Sequence, residues 1–120
     1  MNNKKLGDFG EKIARLYLEK NKYKIVEMNF RGKQGEIDII AKDQKELVFI
    51  EVKTRTSIKY GSPVDAVTYI KQKRIYKTAE YYIYKNNIKN TRDKIRYNRN
   101  IYTKLKNKNK SHQANHWKIG

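Results

Sequence analysis

Apolar residues recur along the chain first with the period of a helix and then with the period of strands. In residues 4–21 they lie three or four positions apart, which predicts an amphipathic helix. Three β-rich segments follow, 23–30, 35–41 and 46–54, separated by short polar turns. We therefore expect an antiparallel meander of three strands after the helix. The apolar face of the helix is predicted to contain Leu6, Phe9, Ile13, Leu16 and Tyr17.

A second helix is predicted after the meander. Ser62 is its expected N-cap, Pro63 its first position, and the apolar spacing continues to Lys85. From residue 86 the apolar pattern fades. We therefore expect a core domain over residues 1–85 and a basic C-terminal tail over 86–120, disordered or ordered only on a polyanion. Core packing or an amphipathic helix face is expected for the tyrosines of the second helix, Tyr69, Tyr76, Tyr81, Tyr82 and Tyr84.

The charge of the chain points to the class of partner. Its 120 residues include 29 Lys and Arg against 12 Asp and Glu, a net charge of +17. Eleven of the acids lie in residues 1–80, so the tail is strongly basic. Basic surface binds phosphates and releases their counterions, which favours a nucleic-acid partner. The alternative is that the charge reflects only a lysine-rich proteome.

The composition also excludes some classes of protein. The chain has no cysteine, which excludes a disulfide framework and thiolate metal sites. No apolar run reaches the roughly 18 residues of a membrane span, and the first residues contain no apolar signal core. We expect a single domain in the cytoplasm, without a membrane partner.

Four charged residues are predicted to share one face of the second and third strands. If the turn between these strands is symmetric, Asp38 lies directly opposite Glu51. Glu36 then lies opposite Lys53 on the same face. The opposite face is predicted to be apolar, with Ile37, Ile39, Ile50 and Val52.

This arrangement is typical of a metal site, because two opposed carboxylates repel each other unless a cation lies between them. Oxygen ligands from Asp38 and Glu51 suit Mg²⁺ or Mn²⁺, which also bind phosphate oxygens. Lys53 can then position a water nucleophile or stabilise charge on a phosphate. Glu11 of the first helix is a candidate third carboxylate. The alternative is a solvated strand face with incidental Lys–Glu pairs, and for Glu11 a solvated helix face.

Three further basic residues are candidates for contacts with nucleic-acid phosphates. Arg55 follows the Glu51–Lys53 strand and precedes a loop, whereas Arg31 and Lys33 lie in the polar turn after the first strand. For Arg55 the alternative is a free surface charge.

The stretch GEIDIIAKDQKELVFIEVKTRTSIKYGSPVDAV resembles the signature of the YraN family of uncharacterised bacterial proteins. The preceding GDFGEKIARLYLEKNKYKIVEMNFRGKQ and the following KQKRIYKTAEYY also resemble that family, so the likeness covers about residues 6–84. The family is similar to Holliday junction resolvases within the PD-(D/E)xK nuclease superfamily. The resemblance implies an α/β, restriction-endonuclease-like core with a mixed sheet flanked by helices, and it implies a possible homodimer.

The same resemblance implies roles for individual residues. Asp38 and Glu51 correspond to metal ligands, Lys53 to the catalytic lysine and Glu11 to an accessory helix carboxylate. The likeness ends near the C-terminus, where family members resemble one another in a further strand. Residues 94–97 begin as such a strand, but Asn-Arg-Asn at 98–100 breaks the apolar alternation. We expect that edge strand to be absent.

These observations predict a nucleic-acid-binding protein that acts as a Mg²⁺- or Mn²⁺-dependent endonuclease on DNA, branched or single-stranded. A second hypothesis keeps the nuclease-like fold as a non-catalytic binding module. A third is a chain whose tail after Tyr97 results from a changed reading frame and has no function.

Overall fold

The computed structural model describes residues 2–55, 69–89, 94–105 and 114–119, which form two helices and one mixed sheet. Within these ranges no helix is long and apolar enough to cross a membrane. The sheet has five strands in the order β1-β2-β3-β4-β5. In chain order the elements are α1 (Asn3–Lys20), β1 (Lys24–Arg31), β2 (Glu36–Asp43), β3 (Glu46–Arg55), α2 (Tyr69–Lys85), β4 (Ile95–Leu105) and β5 (Ala114–Ile119).

Helix α1 packs on the sheet through a face that contains Gly10, Ala14 and Leu18. Asn2 caps it, since its side-chain oxygen accepts a hydrogen bond from the backbone N–H of Lys5 at 2.8 Å. Ala14 and Leu18 are fully buried, one turn apart. Leu16, predicted on the apolar face, is instead 59% exposed. The prediction for Leu16 is wrong because the helix is rotated so that Ala14, rather than the larger residue, allows close approach to the sheet.

Strands β1, β2 and β3 form the predicted antiparallel meander. Between β2 and β3 the paired residues run from Ile39 opposite Ile50 to Asp43 opposite Glu46, the symmetric register expected from the sequence. Gln44 has a φ of 59°, the left-handed backbone that a short hairpin turn requires. The pairing confirms the hairpin register over these positions.

Strand β4 lies where the sequence analysis expects a tail without an ordered edge strand. It pairs in parallel with β3 along most of its length, so residues 95–105 belong to the same sheet as the meander. Between Val48 and Ile50 the partner residues advance from Arg96 to Arg99, one position more on β4 than on β3. This extra residue forms a β-bulge. Odd-numbered residues therefore face α2 before the bulge, as Ile95 does, and face α1 after it, as Ile101 does. The bulge explains why the apolar alternation is interrupted at residues 98–100.

The core consists of two clusters, one on each face of the sheet. On the face toward α2, buried residues of the meander, α2 and β4 form one cluster. They are Phe30, Ile37, Ile40, Leu47, Phe49, Ala79, Tyr82, Ile83 and Ile95. The face toward α1 buries Ala14, Leu18, Ile39, Ala41, Val48, Ile50 and Ile101. The architecture is therefore helix, mixed sheet, helix, in agreement with the predicted α/β class.

The tyrosines of α2 differ in burial. Tyr82 is in the core, where its ring meets Phe30 and Phe49 edge to face. The other four are exposed by 42% or more, in contrast to the expectation of core packing. The predicted cap at Ser62 and Pro63 lies outside the described residues.

Candidate functional site

A local change of twist in β1 and β2 determines where Asp38 lies. Met28 and its partner Ile39 pack on the α1 side, whereas Phe30 and its partner Ile37 pack on the α2 side. Residues two apart on a regular strand share a face, so the alternation is broken between these pairs. Asn29, with a φ of 55°, lies at the break in β1.

Asp38 lies at the corresponding position of β2, beyond the end of the regular pairing with β3. Its Oδ2 accepts a hydrogen bond from the backbone N–H of Val52 at 2.8 Å. A carboxylate thus takes the place of a strand carbonyl, and the ladder between β2 and β3 stops at Ile39 and Ile50. Glu36 pairs with Arg31 of β1 instead of lying opposite Lys53.

The predicted single charged face is therefore wrong in two details. Ile37 packs on the α2 side, not with the apolar residues Ile39, Ile50 and Val52 on the α1 side. Glu36 and Lys53 are not a cross-strand pair. The cause is the break at Asn29, because a register argument assumes unbroken alternation.

The two strands and α2 enclose an open cleft of about 560 Å³. Carboxylates from β2 and β3 lie on one side, and the first turns of α2 form the opposite wall. The residues that line it are Gln34, Gly35, Glu36, Asp38, Glu51, Val52, Ile70, Lys71, Arg74 and Ile75.

Glu51 and Lys53 point from β3 toward the α2 side of the sheet. The Lys53 side chain is only 8% exposed, and its Nζ lies 3.9 Å from Oε1 of Glu51. The same ammonium lies 5.7 Å from the centre of the Tyr102 ring, which belongs to the neighbouring position on β4. Strand β4 thus forms one wall around the buried lysine.

Two cations of α2 face the carboxylates across the cleft, and the sequence analysis missed both. Lys71 is 54% exposed, and its Nζ lies 3.0 Å from Oε1 of Glu51. Arg74 lines the cleft one turn farther along the helix. The basic run at residues 71–74 was the available signal, but the position of α2 was needed to direct it at Glu51.

Glu11 reaches the same region from α1. The side-chain amide of Asn29 lies between two carboxylates. With its nitrogen turned toward them, it donates to Oε1 of Glu11 at 2.9 Å and to Oε1 of Glu36 at 3.0 Å. Asn29 therefore joins the helix carboxylate to the strand that carries Asp38. Four of the predicted site residues (Glu11, Asp38, Glu51 and Lys53) lie around one end of β2 and β3.

The surroundings of Asp38 and Glu11 disfavour the ionised form of both carboxyl groups. The pKa of Asp38 is raised from 3.8 to about 6, chiefly by burial and also by the neighbouring carboxylates of Glu51 and Glu36, while the Val52 hydrogen bond opposes the rise. Burial, followed by the charge of Asp38, raises the pKa of Glu11 from 4.5 to about 7. Negative charge at these positions is incompletely balanced by the protein itself.

A divalent cation would balance that charge. Among the described residues, no three acidic, thiol or imidazole groups are gathered closely enough to hold a metal ion alone. Mg²⁺ commonly uses one or two carboxylates and completes its shell with water and substrate phosphate. Asp38 and Glu51 fit that pattern, since both line the open cleft. The donor set therefore suits a hydrated ion better than a closed protein cage.

The residues expected to contact nucleic acid lie at the rim. Arg31 is 80% exposed and pairs with Glu36 at 3.2 Å, and Lys33 is exposed in the turn between β1 and β2. Arg55 ends β3, and its side chain is not among those described.

Comparison with known proteins identifies the family. The sequence profile of "Uncharacterised protein family UPF0102" matches residues 10–114, past the point where the apolar alternation is interrupted. A UPF0102 protein of Clostridioides difficile strain 630 is 55% identical over 91 residues, which are 76% of this chain and 80% of the relative. A UPF0102 protein of Clostridium botulinum strain Hall is 59% identical over 88 residues, 73% of this chain and 72% of the relative. The chain therefore belongs to the uncharacterised protein family UPF0102, the YraN family of the sequence resemblance.

Proposed function

We propose that this protein is a metal-dependent endonuclease that hydrolyses phosphodiester bonds in DNA on a restriction-endonuclease-like core. The observation that carries the proposal is a buried lysine, Lys53, whose Nζ lies 3.9 Å from Glu51, which lines a cleft together with Asp38. Burying an ammonium is costly unless its charge is used or paired. The carboxyl of Asp38 in the same cleft has a pKa raised to about 6, chiefly by burial, and a perturbed carboxyl in a cleft marks a candidate site of chemistry.

The roles follow from the positions of the side chains. Asp38 and Glu51 would hold Mg²⁺ or Mn²⁺, and Glu11, which Asn29 links to Glu36, is the proposed third carboxylate. A bound cation would supply Lewis-acid polarisation of the phosphate and a more acidic water. Lys53 would hold that water or stabilise the charge that develops on the phosphate.

The basic residues at the rim would position the substrate. Arg31 and Lys33 in the β1–β2 turn, with Arg55 at the end of β3, are proposed to contact phosphates. Because DNA is the proposed substrate, we expect the protein to act in the cytoplasm, and a homodimer is the assembly that the resemblance implies.

The test is cleavage of branched, single-stranded and duplex DNA with Mg²⁺ or Mn²⁺. Asp38→Asn keeps an acceptor for the Val52 N–H, and Lys53→Met keeps most of the buried volume, so both variants should fold. We expect each to lower the rate at least 100-fold, because a group that holds metal or stabilises charge is removed. Glu19→Gln, an exposed carboxylate of α1 paired with Arg15, is the matched control.

Equal rates for wild type, Asp38→Asn and a blank without protein would refute the catalytic proposal. Loss in the Glu19 control as well would indicate that charge alone, rather than the cluster, is responsible.

A second candidate is a nucleic-acid-binding module without catalysis. The specific observation in its favour is that Lys71 already pairs with Glu51, where a cation would otherwise bind. This candidate predicts binding that weakens with salt, needs no metal and survives Asp38→Asn.

A further inference from the structure

Helix α2 presents an exposed stripe in which two basic side chains near the cleft are followed by two aromatic side chains farther along the helix. Its residues are three or four positions apart, so they lie along one side of the helix, and all are exposed. Leaving two large rings exposed to water on a helix surface is costly. The stripe consists of Ile70, Arg74, Lys77, Tyr81 and Tyr84. Tyr84 is 80% exposed and Ile70 is 62% exposed.

One end of this stripe is the wall of the cleft. Ile70 and Arg74 line the cleft beside Asp38 and Glu51. The stripe then leads away from the carboxylates along the helix for about 21 Å, at a rise of 1.5 Å per residue. That length corresponds to about six stacked nucleotides at 3.4 Å each.

The middle of the stripe is held in place by the meander. A Cβ on Gly32 would lie 3.5 Å from the Tyr81 ring, so the β1–β2 turn packs directly against this part of α2. The ring of Tyr81 also lies 6.0 Å from that of Phe30, centre to centre. Lys33, exposed in the same turn, adds a cation next to the stripe. A ring fixed on one side and exposed on the other is pre-arranged for stacking.

The charge of the stripe identifies the occupant. Arg74, Lys77 and Lys33 are cations and Tyr81 and Tyr84 present exposed rings, so the stripe suits a ligand that carries both phosphates and flat apolar groups. Single-stranded nucleic acid has that chemistry, whereas the bases of a duplex are stacked on each other and unavailable to side chains.

We propose that the α2 stripe binds the single-stranded continuation of the nucleic acid whose phosphate enters the cleft. Bases stack on Tyr81 and Tyr84, and Arg74 and Lys77 contact the phosphates between these bases and the cleft. This inference rests on the proposed nucleic-acid function, which it deepens by naming the substrate class: strands that are unpaired on the α2 side of the cleft.

The experiment measures binding of the full chain to a fluorescent oligo-dT of 12 nucleotides and to a 12-base-pair duplex, by anisotropy and without metal. Tyr84→Ala should weaken binding to oligo-dT about fivefold or more, because stacking of one base contributes that much. Its effect on the duplex should stay below about twofold, and Tyr84→Phe should bind oligo-dT like wild type. Leu16→Ala removes another exposed apolar side chain, on α1, and should change neither affinity.

Lys77→Gln provides a second, independent measurement. Loss of one phosphate contact should reduce the slope of log affinity against log salt by about 0.7 for the single strand. An unchanged slope together with an unchanged Tyr84→Ala affinity would overturn the inference.

The remaining outcomes are also decisive. Equal losses on oligo-dT and duplex in Tyr84→Ala would exclude stacking as the role of the stripe. Conversion of a dimer into a monomer by Tyr84→Ala, seen in sedimentation velocity, would show that a second copy covers this face and would overturn the proposal. Failure of wild type to bind either DNA would overturn the proposed function as well, whereas wild-type binding without discrimination by Tyr84 overturns only the inference.

Discussion

Replacing Asp38 by Asn should make the metal-free protein more stable at alkaline pH. The pKa of Asp38 is raised from 3.8 to about 6, chiefly by burial. Each pKa unit corresponds to about 1.36 kcal/mol, so the ionised carboxylate lowers the free energy of unfolding by about 2–3 kcal/mol once the pH exceeds both values. Asn is neutral and can still accept the hydrogen bond that Val52 donates.

The pH dependence has a definite sign. Between about pH 4 and pH 6 the folded state binds more protons at Asp38 than the unfolded state does, so wild type loses stability as pH rises. Glu11, with its pKa near 7, continues this loss toward neutral pH. Asp38→Asn should therefore match wild type below about pH 4 and exceed it by about 2–3 kcal/mol at pH 8.

Urea unfolding followed by circular dichroism at pH 4, 6 and 8 measures these differences. Glu19→Gln, at an exposed pair, should change the free energy of unfolding by less than about 0.5 kcal/mol at each pH. Addition of Mn²⁺ at pH 8 should stabilise wild type and leave Asp38→Asn nearly unchanged. If Asp38→Asn is less stable than wild type by the same amount at pH 4 and pH 8, the hydrogen bond outweighs burial, and the reasoning is refuted.

Two further substitutions test the packing of α1 and the wall of the cleft. Gly10→Ala should cost about 1–3 kcal/mol in urea unfolding, because its Cβ would overlap the Thr54 hydroxyl, whereas Gly7→Ala, which meets open space, should stabilise the helix by about 0.5–1 kcal/mol. A neutral result for Gly10→Ala would show that the helix can move away from the sheet. Lys71→Gln should strengthen Mn²⁺ binding about two- to fivefold in calorimetry, because the ammonium no longer competes for its glutamate partner. Lys73→Gln on the same helix is the control, and equal gains in both variants would indicate only a change in net charge.

The hairpin was predictable because its signals are local. The short turn and the β-rich runs on both sides allow one register that buries Ile39 and Ile50 together, and that register is confirmed. The same register predicts that Asp38 and Glu51 lie near each other, because they are the chain neighbours of the paired residues Ile39 and Ile50.

The exact geometry of the site was not predictable from the sequence. Asn tolerates a positive φ better than most residues, but nothing else in the sequence near Asn29 predicts its φ of 55°. This conformation nevertheless places Ile37 on the opposite face of the sheet. The pair between Lys71 and Glu51 depends on the packing of α2 over the sheet, which involves residues far apart in sequence. The contact of Lys53 with Tyr102 depends on β4, for which the periodicity is interrupted.

The bulge in β4 makes the length of that segment matter more than its composition. If all residues of β4 paired regularly with β3 and no bulge formed, the faces of everything after Arg96 would be exchanged. Ile101 would leave the cluster under α1, and the ring of Tyr102 would turn away from Lys53. Deleting one residue between Arg96 and Arg99 should accordingly be tolerated, because Ile101 and Tyr102 keep their partners on β3. Inserting one residue there should turn both side chains to the wrong faces and remove the β4 wall beside Lys53, while leaving every residue of the cleft unchanged.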